Sequence, residues 1–368
     1  MRSIKPHTSI ASISESLWRR AAETASPFHK YEFFHALEAS QSIGKSSGWQ
    51  PLYFVDEEVE TIMFTFVKNH SYGEYIFDWQ WANAYHENSI PYYPKLTSMI
   101  PFTPVTSAHF ISRDTNLNSN HLLMKSYEEL YRQNDLSSSH FLFIHPSEHD
   151  FFEQYNYLIR ESMQYHFTND GYLDFEHFLN QLKGRKAKQI RKERMLQDVF
   201  VQSYTGDQLT QEHAERMYQF YCQTIEDKNA IAYLKKDFFL IIFETMKQNI
   251  LYVEATQNDE AAAGSLFFYD STKLYGRYWG SNKTIFNLHF ELCYYRGIEF
   301  CIEKKLKTFE AGAQGEHKIP RGFRPLKTFS AHKLKNSLFH NGIGNYILEE
   351  KKQLDLLMIE LSKLLPFK

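Results

Sequence analysis

Apolar positions along the chain change period several times, and each change predicts an element. Residues 14–40 carry helical spacing: Leu17, Ala21, Phe33, Phe34 and Leu37 recur across a break at Pro27. QPLYFV (50–55), TIMFTFVKN (61–69) and EYIFDW (74–79) predict three strands. A proline-rich irregular connection fills 86–108, followed by an amphipathic helix over 122–134 and a strand over 140–146. The second half repeats this order loosely. A helix is predicted over 174–195, a strand over 199–204, and helices over 210–225 and 236–248. Three strands then follow in succession, at 250–256, 262–270 and 273–280. A long helix over 287–306, a strand over 307–312 and a final helix over 342–365 complete the pattern.

Strands joined as hairpins, then a helix, then a strand returning parallel, predict a mixed sheet flanked by helices. The fold class is therefore α+β, or mixed α/β. The order occurs twice, which predicts an N-terminal domain over 1–165 and a C-terminal domain over 166–368 that carries the last helix. A chain of 368 residues suits two domains of ordinary size.

Composition narrows the function classes. The net charge of −3 gives no global basic field, which argues against a surface that wraps a long nucleic acid. Cys222, Cys293 and Cys301 are odd in number and scattered, so neither a disulfide framework nor a cysteine zinc site is expected. His145 and His149 have i, i+4 spacing, but Pro146 interrupts them and no third ligand stands nearby; no metal is expected. The first residues lack the apolar core of a secretory signal, and no run reaches the roughly 18 apolar residues of a membrane span. The expectation is a soluble cytoplasmic protein.

Candidate chemistry gathers in three runs. EAGAQGEHKIPRGFRPLKTFSAH (310–332) reads as a polar loop launched from a strand end, where reacting groups are commonly mounted. In it Glu310, Glu316 and His317 are candidate proton acceptors. Gln314, Lys318 and Arg321 are candidates to hold an anion or a carbonyl oxygen. KGRKAKQIRKER (183–194) carries seven cations against one acid, Glu193. Lys188, Arg191 and Lys192 share a face by their i, i+3 and i+4 spacing, and suit a phosphate-bearing ligand. The third run, 275–297, places Arg277 in an aromatic strand, with His289 and Glu291 opening the helix after it. A buried Arg277 requires an anion, from a ligand or from Glu291 or Glu310. No H-E-x-x-H, G-x-S-x-G, P-loop or G-x-G-x-x-G pattern is present.

WQWANAYHENSIPYYPKLTSMIPFTPVT (79–106), GRKAKQIRKERM (184–195), LYGRYWGSN (274–282), LHFELCYYRGIEF (288–300) and the 309–332 run together resemble one family. It is the peptidoglycan biosynthesis or recognition family of N-acyltransferases in the GNAT superfamily. That family is distantly similar to the Fem-type aminoacyltransferases. The resemblance implies two GNAT-like domains, with the 273–280 strand, 287–306 helix and 307–311 strand as the central unit of the second. Two departures stand out. Ser107 and His109 occupy positions where the family tends to carry Gly and Arg. In addition, GSNKTIFNLHF (280–290) lacks the Q/R-x-x-G-x-G/A loop whose backbone N–H groups hold a coenzyme A pyrophosphate.

The resemblance implies acyl or aminoacyl transfer to an amine, with a small-molecule or peptide acceptor, a cell-wall precursor among the candidates. No tightly bound cofactor is expected. The acyl donor is left between an aminoacyl-tRNA and an acyl thioester, and the missing loop weighs against acetyl-CoA. Proton transfer falls to Glu310, Glu316 or His317, and the oxyanion to Gln314 and loop N–H groups. Arg277, Lys318 and Arg321 are then candidates for an anionic part of the substrate. The alternative is a GNAT-like shell that recognises a precursor or a protein without catalysis.

Overall fold

The computed structural model describes residues 4–114, 116–312 and 315–368. The chain divides into two compact units, Met1–Ser162 with Lys327–Leu356 and Met163–Leu326 with Leu357–Lys368. The two units thus alternate along the chain, each made of two segments. Residues 327–356, grouped by the sequence with the C-terminal half, cluster with the N-terminal one because strand 324–334 pairs with strand 138–144.

In chain order the strands are β1 (Trp49–Asp56), β2 (Thr61–Lys68), β3 (Lys95–Ser98), β4 (Phe110–Ile111), β5 (Ser138–Ile144), β6 (Leu158–Thr168), β7 (Phe200–Thr205), β8 (Ile250–Gln257), β9 (Glu260–Tyr269), β10 (Lys273–Ser281), β11 (Thr308–Glu310) and β12 (Arg324–Leu334). In the first unit β1, β2, β3, β5 and β12 lie side by side, and β4 adds to β2. Strands β3 and β5 run parallel; the other pairs there are antiparallel. In the second unit β7, β8, β9 and β10 form an antiparallel meander, β10 and β11 run parallel, and β11 pairs antiparallel with β6. Each unit is therefore a mixed sheet whose parallel pair is bridged by a helical connection. The fold is mixed α/β, with a mixed sheet flanked by helices in each unit.

Apolar faces drive both units. The Leu117–Gln133 helix buries Leu123, Met124 and Tyr127 against Phe54, Met63 and Phe141 of the first sheet. The helical run 288–303 buries Leu292, Ile298 and Cys301 against Phe267, Leu274 and Phe309 of the second. The aromatic richness of the chain is spent largely in these interiors.

Several expected elements differ. Residues 74–79 form no strand; Glu74 and Asp78 turn inward to the Lys95 ammonium instead. The expected irregular stretch 86–108 contains β3. The helix expected over 174–195 is two helices, Phe175–Gln181 and Gly184–Glu193, because Leu182 and Lys183 adopt extended backbone. Strand β6 went unread. From Arg324 onward the supposed 310–332 loop is β12, whose basic residues are neutralised by acids: Lys327 by Glu161 and Asp355, Lys333 by Glu128, and Arg324 by Asp170. His109 is fully buried, with its Nε2 3.2 Å from the Ser98 carbonyl oxygen and 3.1 Å from that of Leu142, so it serves the first core.

A buried polar network runs through the first unit. Lys95 donates to Ser71 and Glu74, each at 2.8 Å, and to Asp78. The Tyr92 hydroxyl also donates to Asp78, at 2.7 Å. Beside it the imidazoles of His140 and His332 share a hydrogen bond of 2.8 Å between their Nδ1 atoms. No described helix is long and apolar enough to cross a membrane.

Candidate active site

The second unit builds its polar site where β10 and β11 part company. They pair only over Lys273↔Thr308 to Tyr275↔Glu310, after which β11 ends and β10 continues to Ser281. Arg277 is the extra residue at this point, since Gly276 opposes Phe267 and Tyr278 opposes Leu266 on β9. Such a bulge bends a strand and re-aims side chains, and is common beside functional sites. Its guanidinium carbon lies 5.4 Å from the Tyr278 ring centroid. Gly280 lets a helix pack closely, because a Cβ there would fall 1.7 Å from the Phe220 carbonyl oxygen.

The helix after β10 contains a π-helical turn, Glu291–Tyr295. Such turns are rare in a helix and often mark functional positions. This one aims two neighbouring tyrosines at different partners. Tyr294 Oη meets His317 Nε2 at 2.7 Å. Tyr295 Oη donates to Glu193 and accepts from Arg321 Nε at 3.0 Å. Arg321 also donates to Glu193 at 2.8 Å and to the His317 carbonyl at 2.6 Å, and its guanidinium carbon stacks 3.4 Å from the Phe290 ring centroid. Arg321 is therefore a buried strut for the 315–321 turn. Gly315, at φ 117°, makes that turn possible; a Cβ there would sit 2.3 Å from the His317 ring.

Glu291 is also committed to the frame. It takes a two-point ion pair from Arg194 and a contact of 2.9 Å from Arg296, while Arg194 holds Glu299 as well. These pairs clamp the end of the Gly184–Glu193 helix onto the π turn. That helix buries Ala187, Ile190 and Glu193 and exposes Lys188, Arg191 and Lys192. Arg191 pairs with Glu176 at 2.6 Å. Among the described residues Lys188 and Lys192 make no ion pair.

Lys318 is the unusual cation. It is buried and donates to the Gly312 carbonyl at 2.7 Å. Among the described residues no carboxylate pairs with it. Burial pulls its pKa down to about 8, with a partial offset from Cys293. Its charge in turn helps to depress His289, His317 and His166. His289 is lowered to about 4, first by burial and then by His317, Lys228, Arg321 and Lys318. His317 is exposed like Glu316, but partial desolvation of its ring lowers it, as do Lys318 and Arg321. Both are neutral imidazoles at neutral pH.

The sheet separates the remaining candidates. Phe309 faces the 288–303 run, where a Cβ on Gly297 would fall 2.5 Å from its ring. Glu310, the next residue, points to the other face. There it receives Lys273 at 2.9 Å and lies opposite His166 and Tyr275 in register. Its Oε2 is buried and has no hydrogen-bond partner among the described residues. His166 is lowered by burial against the pull of Glu310, and Lys318 adds to the lowering. The Lys318 charge is thus felt on both faces. Glu316 is exposed. Gln314 lies outside the described residues. No three His, Cys, Asp or Glu side chains gather to hold a metal among the described residues.

A family model for peptidoglycan biosynthesis/recognition, FemAB-like, matches residues 9–368. The chain belongs to the FemAB-like family. Solved structures share the fold. FemX matches at 10% identity and TM-score 0.55, over 90% of this chain and 98% of that one. The C-terminal domain (DUF2156) of a putative lysylphosphatidylglycerol synthetase from Agrobacterium fabrum matches at 8% and 0.56, over 90% and 96%. L-PGS from Bacillus licheniformis matches at 10% and 0.51, over the whole of both chains. No curated protein matches by sequence. In this FemAB-like chain the helical run after β10 opens on Asn287 in left-handed conformation and a three-residue turn, Leu288–Phe290, in place of a glycine-rich phosphate cradle.

Glu193, Tyr294, Tyr295 and Lys273 were not singled out from the sequence. Glu193 had one visible signal: it is the sole acid of a basic helix, three residues after the buried Ile190. The tyrosines had none, since an aromatic pair in an apolar helix reads as core.

Proposed function

We propose that this protein transfers an acyl or aminoacyl group to an amine at the β10/β11 opening of its second unit. The observation that carries the reading is Lys318, a buried ammonium whose partner among the described residues is a backbone carbonyl. Burying a cation without a counter-charge is costly unless a ligand supplies one. A carbonyl that becomes an oxyanion during acyl transfer is such a ligand.

The steps balance without a covalent enzyme intermediate. The acceptor amine must be unprotonated to attack the acyl carbon. His317 is the base: with Nε2–H donating to Tyr294 Oη, Nδ1 keeps its lone pair for the amine proton. Lys318 stabilises the tetrahedral oxyanion. As it collapses, the bond to the leaving oxygen or sulfur breaks, and that atom takes the proton from His317. An amide and a free hydroxyl or thiol remain. Glu310, with His166 and Lys273 on the other face, is the alternative base. Arg277 at the bulge and the Lys188–Lys192 face are assigned to an anionic donor. Membership of the FemAB-like family and the missing phosphate cradle favour an aminoacyl-tRNA over coenzyme A.

The test is turnover. Purified protein is incubated with labelled aminoacyl-tRNA and a set of amine acceptors that includes muropeptides, and amide formation is followed by mass spectrometry. Wild-type product that disappears in both His317→Ala and Lys318→Met supports the reading. Binding of either substrate without product, under conditions that keep the ester intact, replaces it with a recognition module.

A further inference from the structure

The loop from Ser71 to Trp79 is built inside out. Its buried positions include Ser71, Glu74, Ile76 and Asp78, and its exposed positions are all aromatic. Tyr72 is 44% exposed, Tyr75 37%, Phe77 52% and Trp79 39%. Four large rings facing water within eight residues do not arise from core packing, and single scattered ones would need no explanation.

The strip is held firmly. Lys95 ties down Ser71, Glu74 and Asp78 from below. Lys68, fully buried over the Trp49 ring, donates to the Tyr72 carbonyl at 3.1 Å. Arg160 donates to the Phe77 carbonyl at 2.9 Å. A Cβ at Gly73 would fall 2.7 Å from the Phe102 ring, so the backbone lies directly on the core. Buried charge is therefore used to fix a surface loop whose outer face is apolar. A ring row fixed in advance loses little entropy when it binds.

The outer face carries no charge. Glu74 and Asp78 are the only ionised residues between Asn69 and Gln80, and both point inward. The Arg160 guanidinium beside Phe77 is committed to Glu350 at 2.7 Å, so it offers phosphate or anionic lipid no free charge. What remains is a row of exposed rings, some of them in direct contact: His70 lies 5.3 Å from Tyr72, and Tyr72 lies 5.4 Å from Trp79, centroid to centroid. The flat apolar faces and rim hydroxyls of uncharged pyranose sugars match that chemistry. We propose that Tyr72, Tyr75, Phe77 and Trp79 form a binding platform for a neutral saccharide chain, wholly within the first unit and independent of the transfer reaction.

The probe is the β-1,4-linked tetramer of N-acetylglucosamine, a neutral oligosaccharide. Titration followed by tryptophan emission and calorimetry is expected to show saturable binding. Tyr72→Ala with Trp79→Ala should weaken it about tenfold or more, while Trp79→Phe keeps most of the affinity and loses most of the emission change. Unchanged thermal melting of the variants keeps the comparison clean, and Tyr75→Ala with Phe77→Ala serves as the second pair if it is not met. No saturable binding at millimolar sugar, or binding that neither pair alters, overturns the proposal. So does attachment to neutral phosphatidylcholine vesicles in place of sugar, lost in the same variants, which would make the strip a lipid-surface contact.

Discussion

Lys318 and Arg321 stand three residues apart and show two uses of a buried cation. Arg321 is satisfied on every side, and its work is to hold Glu193, Tyr295 and the His317 turn together. Arg321→Met should leave Glu193 buried and undercompensated, and should lower stability by about 3–5 kcal/mol in urea unfolding. Lys318 is the reverse case. Lys318→Met removes a burial penalty, so the thermal midpoint should hold or rise. The transfer rate should fall on the order of 10²–10³-fold. Its pH dependence has a definite sign. The folded pKa, about 8, lies below the ordinary lysine value, so the unfolded chain binds more protons between them. Stability from this group therefore rises with pH above 8. The oxyanion-holding charge is lost over the same range, so kcat/KM should decline above pH 8 as stability improves. A rate that keeps climbing past that point would remove Lys318 from the oxyanion.

At the scale of elements, the basic helix Gly184–Glu193 faces two ways. Its inner side carries Glu193 into the Arg321 strut, and its outer side shows Lys188 and Lys192 to solvent. Changing Lys188, Arg191 and Lys192 together to Ala should reduce the slope of log affinity against log salt for tRNA by roughly 1.5–2. A loss near 3 is not expected, since Arg191 is already held by Glu176. Folding should shift by less than about 0.5 kcal/mol. The meander β8 to β10 and the helix after it were legible because their alternation and periodicity are uninterrupted. Strand β12 was not, because Arg324, Lys327 and Lys333 read as loop charges; their acidic partners lie far off in sequence. Residues 74–79 misled in the opposite way: alternation is real there, but it sorts acids inward and rings outward without a neighbouring strand. The density of the 310–321 run marked the region. Which of its charges are structural depended on tertiary partners such as Glu193, beyond the reach of any local pattern.

At the scale of the whole chain, the buried histidine pair of the first unit should add to the acid sensitivity that His289 gives the second. His140 and His332 are fully buried against one another, close to Lys95 and Arg160, with Asp78 the one favourable charge acting on His140. Burial lowers His140 from 6.5 to about 3 and pushes His332 well below its ordinary value. The unfolded chain therefore takes up protons below pH 6.5 that the folded unit refuses. Stability should fall as pH drops from 6.5 toward 3, by up to about 1.4 kcal/mol per pH unit for each imidazole. Urea midpoints measured across that range should show the slope, and His332→Asn should flatten it.

The path of the chain has a consequence for its synthesis. The first unit is opened after Ser162 and resumes at Lys327, and the second, left at Leu326, is finished only by 357–368. That last segment reaches back to the start of the basic helix: Leu182 pairs with Phe367, Lys183 N–H donates to the Pro366 carbonyl at 2.7 Å, and Lys368 N–H to the Gln181 carbonyl at 3.0 Å. On a translating ribosome, which releases the chain from its N-terminus, the first unit stays open while all of 163–326 is made. The first unit can close once Leu356 emerges and the second only with 357–368, so the helix that carries the exposed lysines is latched after the first unit is complete. A nascent chain arrested short of Pro366 would hold the proposed site residues and lack the clasp on Gln181, Leu182 and Lys183.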